Sequence, residues 1–202
     1  MQVGVNRLWN SQLEVMANST LKILVTLLSI VFYSNSASSQ SDIYRDENVN
    51  IQFYSSTPLE DIQATSNSSR AILNAGTGEI AVLVKIRDFG FKKRLMKKHF
   101  NEQYMESDKY PESTFSGMIK GINSDDLSDT NESYPVEGII NIHGINKELE
   151  VTAQLTKEDN ILYGKAEFYV LLEDFNIKRP KLLIKNIADK ILVSINMKLE
   201  KQ

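Results

Sequence analysis

Two histidines, His99 and His143, and the absence of cysteine narrow the chemistry open to this 202-residue chain. His99 and Glu102 stand three apart, a helical spacing that can share a metal ion. Completing a site takes further His or Cys ligands, so no metal is expected. His143 falls on the polar side of a strand beside a turn, the position of a structural or solvent-facing residue. Without cysteine there is no disulfide, thiol nucleophile or zinc–thiolate site. No Gly-x-Ser-x-Gly elbow, glycine-rich phosphate loop or His-Glu-x-x-His motif occurs. A nucleophile–base constellation is missing, which argues against an enzyme. What remains is apolar and basic. Met96, Phe100 and Tyr104 recur every four residues and form one face of a helix. Lys92, Lys93, Arg94, Lys97 and Lys98 precede Glu102, Glu106 and Asp108. That cluster is either a solvated helix face or a cationic rim for an anionic head group or membrane surface.

The helix that carries these residues is expected over about 93–108. Pro111 ends it at or before Tyr110, because the residue before proline is pushed out of the α region. Elsewhere the chain alternates. Val49, Ile51 and Phe53 share one side of a strand, and Ser55–Leu59 breaks it. Thr65–Arg70 reads as a polar loop, Ile72–Asn74 as a short strand, and Gly76-Thr77-Gly78 as a turn. Ile80, Val82, Val84 and Ile86 form the apolar side of the next strand, followed after the helix by Phe115, Gly117 and Ile119. The polar run 123–134 connects to Val136, Ile140 and Ile142. A compact turn at 143–147 joins that strand to Leu149, Val151, Ala153 and Leu155, a hairpin. Leu162, Ala166, Phe168, Val170 and Leu172 come next. Residues 174–185 are irregular, with a helical turn expected at 181–186. The last strand faces Ile191, Val193, Ile195, Met197 and Leu199 inward. This succession of short strands without a βαβ rhythm predicts an antiparallel barrel or sandwich. A barrel of about eight strands either fills its interior or holds one small ligand, and periodicity does not choose between them.

A hydrophobic content of 42% with 24% charged residues is that of a globular chain. The net charge of −3 leaves no electrostatic footprint for nucleic acid. Leu21–Tyr33 is an apolar run of 13 residues, short for a bilayer crossing of about 20. Lys22 supplies a positive charge at its start, and the small Ala37 and Ser39 lie two apart behind it. Residues 1–39 therefore read as a signal peptide with Gln40 as the first mature residue and Met16 as the better start; an anchor helix is the alternative. The remaining domain, 40–202, carries 21 basic and 25 acidic side chains.

Three stretches in order resemble the YceI family. His99, Phe100, Lys109, Tyr110, Pro111, Thr114 and Phe115 match its helical segment and following Thr-Phe strand. Ile142-His143-Gly144-Ile145-Asn146-Lys147 resembles its hairpin turn, and Glu173-Asp174-Phe175-Asn176-Ile177 its Asp-Phe-Gly segment. Asn176 replaces the glycine, and Arg94-Leu95-Met96 stands where an arginine–aspartate lead is usual, as in divergent members of Bacteroidetes-type bacteria. The only tryptophan, Trp9, lies in the leader, so the Gly-x-Trp mark of true lipocalins is missing. The resemblance implies an all-β, antiparallel, lipocalin-like barrel of about eight strands with one helical crossing. It implies a periplasmic, non-enzymatic protein that encloses a polyisoprenoid, quinone or other long-chain lipid, its head group near the helix-side mouth. The expected lining is Phe53, Ile80, Val82, Val84, Met96, Phe100, Tyr104, Phe115, Ile140, Leu149, Val151, Ala166, Phe168, Val170, Ile191, Val193 and Ile195. A ligand-free structural or interaction domain of the envelope is the alternative. No cofactor is expected beyond such a lipid, and the oligomeric state stays open, a homodimer included.

Overall fold

In the computed structural model, residues 42–124, 127–178 and 187–202 are described, all within the unit Ser41–Gln202. The expected leader, 1–39, and the helical turn expected at 181–186 lie outside the described residues. The strands are β1 (Ile43–Ser56), β2 (Asp61–Asn74), β3 (Glu79–Lys85), β4 (Gly90–Phe91), β5 (Glu112–Ile119), β6 (Glu132–Ile142), β7 (Ile145–Glu158), β8 (Ile161–Leu171) and β9 (Lys190–Lys201). Each pairs antiparallel with its neighbours in the order β1-β9-β8-β7-β6-β5-β3-β2, and β1 pairs β2 to close the ring. Eight long strands therefore form a closed barrel, with the two-residue β4 added to β2. Closure removes the unpaired edges that an open sheet would expose.

The alternating strands fix which side chains point inward. One end of the barrel carries the turns 75–78 and 159–160 and the segments 120–124 and 127–131, and its interior is packed. Tyr44, Leu73, Leu162 and Leu199 are 0% exposed there, joined by Ile119 and Leu155. The opposite end carries the turn 57–60, the crossing 86–111, the turn 143–144 and the segments 172–178 and 187–189. A second packed cluster lies at that end: Ile86, Tyr104, Met105, Ile140, Val170, Phe175 and Ile177.

Two local readings are corrected. Thr65–Arg70 is strand, part of a β2 of 14 residues paired along β1. Its small hydroxyls permit this: Ser66 and Ser69 are buried with their Oγ atoms 3.4 Å apart. The helical crossing is shorter than 93–108. Helix α1 spans Arg94–His99, and a wider π-type turn continues it over Phe100–Tyr104. Met105 closes the segment with its N–H donating to the Phe100 carbonyl at 2.8 Å. His143, read as either structural or solvent-facing, is buried, as the structural alternative has it.

Gly117 and Gly138 face each other across β5 and β6, and the Phe115 ring lies against both. A Cβ on Gly138 would sit 2.6 Å from the Gly117 Cα and 2.7 Å from Phe115 Cζ. Gly138→Ala is therefore expected to destabilise the barrel by about 1–3 kcal/mol through overpacking. Urea unfolding measures this; an unchanged midpoint would show that the ring has no fixed seat on the glycine pair.

Candidate functional site

Between the two packed ends the barrel is hollow. A cavity of about 280 Å³ lies there, close to the lower bound of about 300 Å³ for pockets that enclose small molecules. Strand β9 shows the pattern. All five inward residues border the cavity, but Ile191, Met197 and Leu199 are buried, whereas Val193 and Ile195, between them, are only half-buried. The same holds for Ala166 and Phe168 on β8, Leu149 and Val151 on β7, Phe115 on β5, Val84 on β3 and Phe53 on β1. In a filled core the mid-strand residues would be the most enclosed. Here they lack partner atoms on the cavity side, which leaves dispersion contacts unmade.

All seventeen residues of the expected lining border this one cavity. The period of two on the strands and of four on the helix segment bring them together. Residues outside that set also border it. Phe89 and Phe91 flank Gly90 and pack with Phe53 and Phe100, ring centroids 5.1–5.8 Å apart. This aromatic cluster fills the gap where the lower-numbered half of β2 leaves β3, for β2 pairs β3 only over Arg70–Leu73. Their alternation across Gly90 was a usable signal, but the helical turn Ile86–Asp88 resets the phase inherited from β3.

The lining is apolar apart from a few groups, among them Ser55, Glu60, His99, Ser113 and Thr114. Lys93 Nζ meets Glu60 Oε1 at 2.7 Å, joining the start of α1 to the β1–β2 turn. Among the described residues no group of three His, Asp or Glu is placed to hold a metal. His99 borders the cavity from α1. His143 is held away from it by the turn geometry. With φ +53° at His143 and +74° at Gly144, the β6–β7 turn has the left-handed pair of a tight hairpin. The ring then lies under Tyr110, centroids 4.4 Å apart, and its Nδ1–H donates to the Phe175 carbonyl at 3.0 Å. Its Nε2 faces Glu106 Oε2 at 2.9 Å.

The profile of the YceI-like domain matches residues 39–199. The chain belongs to the YceI-like family. No curated protein matches it. Solved structures with a similar fold include a polyisoprenoid binding domain from Saccharophagus degradans: 10% identity, TM-score 0.69, covering 80% of this chain and 99% of that one. Burkholderia cenocepacia BcnA follows at 13% identity and TM-score 0.63, covering 74% and 95%. The Campylobacter jejuni YceI protein has 15% identity and TM-score 0.55, covering 69% and 84%. At such identities the likeness establishes the fold alone.

The three sequence stretches that resemble the YceI family meet in space. Tyr110 of the first packs on His143 of the second, which bonds Phe175 of the third. Asn176, where a YceI-like glycine is usual, has φ +52°. Asparagine is among the few side chains that adopt this left-handed conformation readily, so the turn survives the replacement.

Proposed function

We propose that this YceI-like protein is a periplasmic, non-enzymatic binder that encloses a polyisoprenoid or other long-chain lipid in its barrel. The observation that carries the reading is the hollow middle, an apolar cavity between two packed ends. Each methylene moved from water into such a lining contributes roughly 0.8 kcal/mol, so a chain of several carbons binds without a strong polar anchor. The description of the Saccharophagus degradans neighbour as a polyisoprenoid binding domain supports the ligand class. The apolar run before Ala37 and Ser39 supports export, with residues 1–39 removed. Titration with parinaric acid, a fluorescent long-chain fatty acid, tests the binding reading. Saturable enhancement that a polyprenol competes away is expected; no enhancement would favour a ligand-free envelope domain instead.

Transient contact with an anionic membrane surface fits the exposed lysines of the crossing. Lys97 and Lys98 are exposed, and Lys93 is engaged by Glu60. Replacing Lys93, Lys97 and Lys98 together by Gln is expected to weaken association with anionic liposomes, at up to about 1 kcal/mol per lysine. Unchanged association in a flotation assay would dispose of the contact.

A further inference from the structure

Packed clusters narrow the cavity toward both barrel ends, with Leu162 and Leu199 at one and Ile86, Tyr104 and Phe175 at the other. The helical crossing lies over the second of these ends and borders the cavity through Met96, His99 and Phe100. Two seams of the wall are incomplete. The seam between β2 and β3 is filled by β4 and the aromatic cluster.

The second seam lies between β7 and β8. Their ladder runs from Glu158↔Ile161 to Ala153↔Ala166 and stops. Both strands continue beyond that point, each held only from its far side. Ile145–Thr152 stays paired with β6, and Glu167–Leu171 with β9. Among the described residues no further strand pairs into this seam as β4 does in the other, and the turn Leu172–Phe175 touches both strands at its upper end. Its upper limit is a clasp: the His143–Phe175 hydrogen bond and the Lys147–Asp174 ion pair at 3.4 Å. The two edges thus frame a window. Leu149 and Val151 on one edge and Phe168 on the other are half-buried and border the cavity. On the outer face of the β8 edge, Tyr169 is 55% and Leu171 38% exposed, so an apolar strip leads up to the opening. The outer face of the β7 edge carries Glu148 and Glu150 instead.

We propose that the window between β7 and β8 is a lateral portal, through which an apolar chain passes in and out of the barrel. This rests on the reading that the cavity takes such a chain. The chain's lack of cysteine makes the test direct. Extending the register beyond Ala153↔Ala166 sets Glu150 opposite Tyr169, both exposed. A Glu150→Cys, Tyr169→Cys variant of the mature protein is bridged with a short bis-maleimide, and the bridged form is isolated by intact mass. Stopped-flow fluorescence with parinaric acid then reads uptake and, for preloaded protein, release.

Bridging is expected to slow both at least tenfold relative to the same variant unbridged. A bridge across the closed β5–β6 seam, Ser116→Cys with Ile139→Cys, is expected to change neither. Native rates after bridging the window overturn the portal while leaving the binding reading intact. Equal slowing by the control bridge overturns it too, because general stiffening then suffices. If the native chain shows no uptake, the binding reading fails and the portal with it. Should the first pair not fold, Thr152→Cys with Glu167→Cys, one step nearer the paired residues, gives the same comparison.

Discussion

Ala166→Trp is expected to reduce binding of a long apolar chain by about 100-fold while leaving the barrel folded. Ala166 points inward from β8, opposite Ala153 on β7 and Ile195 on β9, and borders the cavity. An indole there occupies space the chain would use. Excluding about four methylenes removes roughly 3 kcal/mol, or two powers of ten in affinity. In a filled core such an enlargement costs about 1–3 kcal/mol or more through overpacking. In a hollow one, the tryptophan buries apolar area of its own. The thermal midpoint is therefore expected at or above that of the native protein. A folded variant with undiminished affinity would move the ligand out of the barrel centre, and a variant that unfolds would show the interior to be full.

Leu162→Ala carries the largest expected cost in stability, about 3–5 kcal/mol. Leu162 is 0% exposed and pairs with Leu199, also 0% exposed, so truncation leaves a cavity that close neighbours cannot fill. Val193→Ala, on the hollow stretch of β9, is expected to cost less than about 1.5 kcal/mol, because much of that side chain already faces empty space. Urea unfolding of both variants decides the matter. Equal costs would mean that packed end and hollow middle do not differ energetically.

Much of this architecture was legible in the sequence, for a definite reason. A strand's side chains alternate, so a run such as Leu149, Val151, Ala153 and Leu155 has one admissible inward face, and a one-residue slip would turn it all to water. That rule placed the strand residues of the expected lining. It failed where the backbone leaves regular geometry. The turn Ile86–Asp88 shifts the phase, so Phe89 and Phe91 were not counted as lining. The positive φ at His143 takes its ring out of the strand's alternation and under Tyr110. Thr65–Arg70 looked like a loop because its residues are polar, yet pairing to β1 satisfies its backbone whatever the side chains.

The hollow itself could not be read in advance. A filled barrel and an empty one require the same inward residues, and what differs is whether their volumes meet across the interior. The end of the β7–β8 ladder is equally silent in sequence, since Glu150, Thr152, Glu167 and Tyr169 would alternate in the same way with the seam closed.

Native mass spectrometry of the protein purified from the envelope of the cell that makes it, combined with lipid extraction, tests the central claim most directly. The account predicts a reproducible co-purifying prenyl or other long-chain lipid, retained by the native chain and lost from Ala166→Trp. A native chain that is uniformly ligand-free, and that stays so after incubation with polyprenols, would contradict it.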